Sequence, residues 1–233
     1  MNKPEFSGIN RRAACRRLLG LAGATPLAMS LLGGVRPAIG AFEAIGNTVR
    51  IEEDWYVKIG TPDPDSDSPQ ITTCIAPAWT LAGRYGVFDM NCATQPGFSS
   101  GGVQLQLWSN GSILQTVSNT NWDSLHFVDE EIRYTSAIMV QGGNLVFEIL
   151  NGTSLSWGAF GNGELRLQYP TWRDHLNNYD VDYTVYNSRV GFASHRVRRF
   201  TLERVRYYFE NDSGLHLQHT DDTPRVLHTY DPA

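Results

Sequence analysis

Residues 105–117 read LQLWSNGSILQTV, two apolar-alternating runs joined by an Asn-Gly pair at 110–111. An Asn-Gly pair in this position is the strongest short-range signal for a β-hairpin, because a type I′ turn needs positive φ at both central residues. The same pair recurs at Asn151-Gly152, between residues 145–149 and 155–157, and predicts a second hairpin there.

Short runs of the same kind extend on both sides of this hairpin, from residue 47 to residue 210. About ten such runs, with turn residues every ~8–12 positions, predict an all-β fold, a single antiparallel β-sandwich of the jelly-roll type. Val181–Tyr186 is predicted as one of the strands, and the best helical candidate is one turn at Thr171–Asn177. Residues 211–233 lose the alternation, which predicts a polar C-terminal tail that is docked on an edge strand or partly disordered.

The first forty residues are typical of an export leader. Arg16 and Arg17 directly precede a mildly apolar run at 18–32, and small residues follow at 38–41. Paired arginines before such a run are the bacterial twin-arginine address. We therefore expect residues 1–40 to be a signal peptide and the protein to be periplasmic, cell-surface or extracellular. The ordinary secretory route and an uncleaved anchor are the alternatives, although the run is shorter than the ~20 residues that a span requires.

Charge and cysteine content restrict the possible partners. The first forty residues hold six of the 19 basic side chains and one of the 24 acidic ones, so the remainder has a formal net charge of −10. A surface of this sign disfavours nucleic acid and anionic lipid as partners, and no further apolar run is long enough for a transmembrane span. Two cysteines, Cys74 and Cys92, follow the leader. In an oxidising compartment they are candidates for a disulfide, with two buried thiols as the alternative.

The opening strand contains the run Glu52-Glu53-Asp54-Trp55, and four later stretches between residues 62 and 197 are equally distinctive. Together they resemble a group of secreted bacterial proteins of unassigned function whose opening strand carries acidic residues followed by tryptophan. The architecture is also similar to the concanavalin A-like lectin/glucanase sandwich, and this resemblance implies carbohydrate as a ligand. The glucanases of that class carry Glu-x-Asp-x-x-Glu on one strand, and this chain lacks that spacing. A sandwich fold by itself implies no activity. The stretches that carry the resemblance are 52–55, 62–70, 102–108, 145–157 and 190–197.

Two acidic groups are candidates for chemistry. Asp63, Asp65 and Asp67 alternate along one loop, where carboxylates can converge on calcium; a solvated acidic turn is the alternative. The stretch 129–131, with Glu148, supplies carboxylates of the kind that cleave glycans in pairs. Without a diagnostic spacing, this stretch is better interpreted as a charged turn.

Two further groups are candidates for binding. Four tryptophans fall near turns or strand ends, where they either stack on sugars or cap the sandwich edges; these are Trp79, Trp122, Trp157 and Trp172. Four arginines share one parity of residues 195–209, unless a bulge near Arg198 shifts the register. They form either an internal ion-pair ladder or a docking face for carboxylate-bearing partners such as uronic glycans. These are Arg196, Arg198, Arg204 and Arg206.

Taken together, the sequence favours an exported, non-catalytic binding module whose partner is a glycan or an envelope protein. No cofactor is expected, apart from the calcium option above. A carbohydrate-active hydrolase or lyase is the first alternative. A structural surface protein that self-associates through its edge strands is the second.

Overall fold

A computed structural model describes residues 46–61, 68–78, 83–92, 101–119, 125 and 127–231. Within these ranges, no helix has the length and apolarity that crossing a membrane requires. The elements are β1 Thr48–Ile59, β2 Gln70–Ile75, β3 Arg84–Met90, β4 Val103–Ser109, β5 Ser112–Asn119, β6 Glu131–Gln141, β7 Asn144–Ser154, β8 Gly158–Gly161, β9 Arg166–Pro170, α1 Val181–Asn187, β10 Arg189–Gly191, a 3₁₀ turn Ser194–Arg196, β11 Val197–Asn211, β12 Gly214–Asp221 and β13 Arg225–Thr229.

The strands form two antiparallel sheets, so the prediction of an all-β antiparallel architecture is confirmed. The larger sheet has eight strands in the order β12-β11-β1-β6-β7-β8, with β13 also paired to β11 and β9 to β7. The smaller sheet has the order β10-β2-β3-β4-β5. The apolar core joins the two sheets: the Phe88 ring in β3 lies 5.0 Å from the Tyr134 ring in β6.

The opening strand β1 separates its side chains by parity, as a pleated strand must. Ile51, Glu53 and Trp55 are buried on the face toward the smaller sheet. Glu52 and Asp54 lie on the opposite face, where they form ion pairs with arginines. One acidic residue of the opening strand is therefore enclosed in the core.

The two Asn-Gly pairs have different structures. Asn110 and Gly111 have φ of 49° and 76° and form the predicted turn between β4 and β5. The second predicted hairpin is wrong, because Asn151 and Gly152 lie inside β7. At this position glycine serves packing: an added Cβ would lie 2.0 Å from Cε2 of Phe160. The chain reverses instead at Gly142-Gly143, between β6 and β7.

The predicted strand Val181–Tyr186 is also wrong, because these residues form the helix α1. Asp180 caps this helix by accepting a 2.9 Å hydrogen bond from the backbone N–H of Asp182. At the other end, the Ser188 hydroxyl accepts a 2.9 Å hydrogen bond from the backbone of Cys74 in β2. Capping and packing against β2 thus outweigh the strand propensity of the segment. The predicted helical turn at Thr171–Asn177 does not form.

Of the two alternatives for the C-terminal segment, docking on a strand is correct, but the segment docks as two strands of the larger sheet and not as an irregular tail. Strand β12 pairs with residues 205–211 of β11, and β13 pairs with residues 199–202 of the same strand. The weak alternation of this segment did not predict strands. The strands form because pairing with the long strand β11 supplies partners for the backbone N–H and C=O groups of the segment.

Candidate functional site

An open groove of about 310 Å³ lies at one end of the two sheets. Pro77 follows β2 and Arg84 begins β3, so the smaller sheet forms one wall. Leu145 of β7 and the segment 169–173 at the end of β9 form the other. We call this the Trp172 groove; the described residues that line it are Pro77, Arg84, Leu145, Tyr169, Pro170, Thr171, Trp172 and Arg173.

Local hydrogen bonds hold the segment that carries Trp172. The backbone N–H of Thr171 donates to the Gly143 carbonyl at 2.8 Å, which ties the segment to the β6–β7 turn. The Thr171 hydroxyl then accepts from the backbone N–H of Arg173 at 3.1 Å. Between these anchors Trp172 is 96% exposed. A backbone held by these two hydrogen bonds therefore presents a large flat ring to solvent.

Arg84 and Tyr169 form the floor of the groove. Nη2 of Arg84 donates to the Tyr169 hydroxyl at 2.7 Å. The guanidinium carbon also lies 4.2 Å from the centroid of the tyrosine ring, within range of a cation–π interaction. These contacts join the two sheets and fix the orientation of the guanidinium. The groove thus combines aromatic surfaces, which bind by stacking, with cations and hydrogen-bond donors.

A second polar cluster lies on the outward face of the smaller sheet, and it is closed. Nε2 of Gln106 donates to Asp89 Oδ2 at 3.0 Å and to Gln104 Oε1 at 2.5 Å. Oε1 of Gln106 accepts from Trp108 Nε1 at 2.7 Å. Burial raises the pKa of Asp89 to about 6, against the effect of a hydrogen bond from Thr72. Gln106 and its three partners, Asp89, Gln104 and Trp108, are all buried, so their polar groups satisfy one another rather than a ligand.

A third polar cluster surrounds Glu53 between the sheets. Its Oε2 accepts from Trp55 Nε1 at 3.1 Å and from the Ser136 hydroxyl at 3.0 Å. Its Oε1 accepts from the Tyr179 hydroxyl at 2.6 Å. Burial raises the pKa of Glu53 to about 7. Glu53 is fully enclosed, so its raised pKa reflects burial in the core and not a group facing substrate.

The stretch 129–131 holds a third buried carboxylate. Glu130 accepts hydrogen bonds from the backbone N–H and the hydroxyl of Ser156, at 2.7 Å and 2.8 Å. This residue is fully buried, whereas Glu131 is exposed. Within the stretch predicted as a charged turn, Asp129 does lie in an exposed turn, whereas Glu130 anchors the connection between β7 and β8.

The predicted tryptophans separate into different environments. Trp172 is exposed in the groove, as a sugar-stacking residue should be. Trp157 is buried, with its ring 6.5 Å from Phe160 in an edge-on arrangement, so the prediction of a binding role for Trp157 is wrong. Trp79 and Trp122 lie outside the described residues.

The predicted arginine face is divided by two bulges in β11. Asp54 pairs with Arg204 but Trp55 pairs with Leu202, so an extra residue shifts the register between them. A second shift at Lys58 and Ile59 leaves Arg198 as the extra residue. Strict alternation across residues 195–209 is therefore wrong, because each bulge reverses the side to which later side chains point.

The two C-terminal arginines of this set form an ion-pair ladder with β1. Arg204 Nε lies 2.9 Å from Asp54 Oδ2. Arg206 Nη2 lies 2.7 Å from Asp54 Oδ1 and 3.0 Å from Glu52 Oε2. These contacts correspond to the internal-ladder interpretation rather than to a docking face.

The two N-terminal arginines are placed elsewhere. Arg196 is buried in the 3₁₀ turn and donates from Nη2 to the Leu125 carbonyl. The guanidinium carbon of Arg198 lies 5.8 Å from the Tyr230 ring. The four arginines therefore do not share one surface.

Of the remaining predicted sites, the structure describes the two cysteines but not the acidic loop or the leader. Cys74 and Cys92 are both buried as thiols, and the structure does not join them in a disulfide. The carboxylates Asp63, Asp65 and Asp67 lie outside the described residues, and so do Arg16 and Arg17 of the leader. Within the described ranges, no group of three or more His, Cys, Asp or Glu side chains is arranged to hold a metal ion.

The sequence analysis names Trp172 as a binding candidate but does not name Arg84, Tyr169 or Arg173, which also line the groove. Arg84 and Tyr169 are 85 positions apart, so no local motif connects them. The one local signal for the groove was the run Tyr169-Pro170-Thr171-Trp172. Its proline ends a strand, so the two aromatic residues of the run lie beside the end of that strand.

Comparison with known proteins does not assign this site. No model of a protein family matches the chain, and no curated protein matches it significantly. The assignment of a function therefore depends on the chemistry of the groove.

Proposed function

We propose that this protein is an exported, non-catalytic β-sandwich that binds glycans through the Trp172 groove. The observation that carries the proposal is Trp172, which is 96% exposed on a backbone held by hydrogen bonds at Thr171. Exposing a whole indole ring to water is unfavourable, and the flat face of a sugar ring would relieve that cost.

The composition of the groove supports a binding role. Ligand sites combine apolar and aromatic surface with a few polar groups that fix orientation. Here Leu145 and Pro170 supply apolar surface, Trp172 supplies an aromatic ring, and Arg84 supplies oriented donors. The groove is open, which suits a polymer that passes across it better than a small molecule that must be enclosed.

The finer fold and the location belong to the same proposal. We infer a concanavalin A-like jelly-roll arrangement, supported by two antiparallel sheets with the opening strand beside β11. Export rests on the paired arginines and the apolar run in residues 1–40. Such a protein meets envelope or extracellular glycans rather than nucleic acids, in keeping with its net acidic charge.

Catalysis is less well supported. The carboxyls with raised pKa values, Glu53 and Asp89, are both buried in closed hydrogen-bond networks. Among the described residues that line the Trp172 groove, none is acidic. A hydrolase or lyase would need ionisable groups converging on an accessible cleft.

The test is a glycan-array screen with the full chain, followed by titration of any ligand against Trp172→Ala. We expect binding by the wild type and a loss of affinity of about tenfold or more in the variant. Tyr186→Ala is the matched control, because Tyr186 is a second exposed aromatic side chain, at 85%, on α1. Equal loss in both variants, no binding at all, or turnover of a bound glycan would each contradict the proposal.

A second candidate function, self-association, is favoured by strand β5. It forms one edge of the smaller sheet, and its eight residues include no charge and no proline. Most of its side chains are exposed, among them Ile113 and Leu114. Edge strands in soluble proteins usually carry charges or proline that prevent pairing with another chain.

The two functions can be tested separately. Light scattering at increasing concentration of the full chain should give a dimer if β5 pairs with β5 of a second copy. Thr116→Lys should then restore the monomer, whereas Leu217→Lys on β12, another exposed position, should not. A monomer at every concentration would exclude this candidate and leave glycan binding untouched.

A further inference from the structure

The two arginines of the Trp172 groove form no ion pair with Asp or Glu among the described residues, a property that they share with Arg198 and Arg199 but not with most other described arginines. Several elsewhere are neutralised by Asp or Glu partners; these are Arg50, Arg133, Arg166, Arg204, Arg206 and Arg225. Arg84 and Arg173 have no such ion pair among the described residues. Arg84 and Arg173 thus line the same groove, and neither has a carboxylate partner among the described residues.

Arg84 also retains hydrogen-bonding capacity. Its Nη2 is used by the Tyr169 hydroxyl, but its Nε is buried and has no hydrogen-bond partner within the described ranges. Nε of Arg50 and of Arg206 is buried in the same way although both residues form ion pairs, so the positive charge of Arg84, and not this buried donor, is what favours an anionic ligand. The stacking of the guanidinium on Tyr169 fixes its orientation, so little further ordering is needed on binding.

The two arginines of the groove contrast with the net negative charge of the whole chain. The formal net charge is −5, and −10 without the first forty residues. Such a protein repels acidic polymers over most of its surface. The Trp172 groove, by contrast, has two arginines and no acidic residue among its described lining, so it places positive charge where a ligand would bind.

From these observations we infer that the groove selects sugars that carry a carboxylate, that is, uronic acid units of a glycan. The ring of the sugar stacks on Trp172, and its carboxylate pairs with the guanidinium of Arg84 or Arg173. Guanidinium and carboxylate match in a planar, two-hydrogen-bond geometry that neutral sugars do not offer. This inference rests on the proposed function and adds the chemical class of the ligand.

The experiment compares charged and uncharged forms of the same sugars. The full chain is titrated with tetrasaccharides of galacturonate, glucuronate, mannuronate and guluronate, and with the methyl ester of each. We expect at least one acid to bind about tenfold or more tightly than its ester, with the advantage falling as salt rises. Arg173→Gln or Arg84→Gln should remove the difference, according to which guanidinium pairs with the carboxylate, whereas Arg133→Gln, which disrupts an exposed ion pair with Glu203, should leave it unchanged.

The outcomes separate the two claims. Equal affinity for acid and ester, or binding of neutral glycans that depends on Trp172 without binding of any uronate, overturns the inference and leaves glycan binding in place. If no glycan of any kind binds, both claims are wrong. A charge preference that survives Arg173→Gln and Arg84→Gln, in variants with wild-type circular dichroism, also overturns the inference.

Discussion

The Tyr179 hydroxyl donates a 2.6 Å hydrogen bond to Glu53 Oε1 in the space between the two sheets. The two residues are 126 positions apart, so this bond ties the opening strand to the segment before α1. Tyr179 also packs edge-on against Tyr207 of β11, with ring centroids 5.9 Å apart. A single buried carboxyl thereby links three separate parts of the chain.

This burial predicts a particular dependence of stability on pH. Because burial raises the pKa of Glu53 from 4.5 to about 7, the folded protein holds this proton more tightly than the unfolded chain. The stabilisation is complete below about pH 4.5 and is lost as the pH rises through about 7. We expect Glu53→Gln, which stays neutral, to reduce the pH dependence of the unfolding free energy by up to about 3 kcal/mol.

Urea unfolding at several pH values between about 5 and 8 measures this slope. The slope should be reduced rather than abolished, since Asp89, with its pKa raised to about 6, contributes with the same sign. Glu203→Gln is the control, because Glu203 is exposed and should keep the wild-type slope. An unchanged slope in Glu53→Gln would refute this account.

The ion-pair ladder between β1 and β11 predicts a stability loss that depends on salt. Asp54→Asn removes the contacts of Asp54 with both Arg204 and Arg206. Partly exposed pairs contribute little each, so we expect a loss of about 1 kcal/mol in dilute buffer and less in concentrated salt. Asp222→Asn, which removes a more distant and exposed partner of Arg204 at 3.8 Å, should have almost no effect. A loss that does not respond to salt would argue against an electrostatic origin.

The contact between Gly152 and Phe160 predicts that a single added methyl group destabilises the larger sheet. An alanine Cβ at this position would overlap the Phe160 ring, so we expect Gly152→Ala to cost about 1–3 kcal/mol in urea unfolding. Gly191→Ala is a matched control, because its nearest neighbouring atoms would lie 3.9 Å away. Similar stabilities for the two variants would contradict the packing interpretation.

Burial of the cysteines predicts their chemical reactivity. Burial raises the pKa of the Cys74 thiol, and nearby Glu53 and Asp89 act in the same direction. We expect no alkylation of Cys74 in the native protein at about pH 8, and full alkylation of both Cys74 and Cys92 in denaturant without reductant. Peptide mapping by mass spectrometry identifies the modified residues. A disulfide would instead leave both unmodified until a reductant is added.

The antiparallel β architecture could be predicted from the sequence because it depends on local alternation and turn residues. A local sequence pattern cannot specify which residue of a neighbouring strand a side chain will pack against. Asn110-Gly111 and Asn151-Gly152 are identical dipeptides, yet the second lies within a strand because Phe160 packs against Gly152. The burial of Glu53 could not be predicted either, because the flanking Glu52 and Asp54 give the segment the composition of a solvent-exposed strand.

The same reason explains what was missed at the candidate site. Trp157 and Trp172 were both predicted near turns or strand ends, and only the packing of neighbouring strands determines that Trp157 is buried and Trp172 exposed. The Arg84–Tyr169 contact joins residues of different sheets, so no spacing in the sequence signals it. Of the two bulges in β11, the sequence offered the one at Arg198 as an alternative, whereas the one at Glu203 was not anticipated, because both depend on pairing with β1.

The position of β1 between β6 and β11 has a consequence for biosynthesis. Asp54 meets Arg204 across 150 residues, so a nascent chain leaving the ribosome carries its first strand long before one of its two neighbours exists. Pairings over such a separation form slowly, because a large loop must close before any contact compensates for the lost entropy. The larger sheet therefore cannot be completed until β11 has been synthesised, and until then β6 is the only one of the two neighbours of β1 with which β1 can pair.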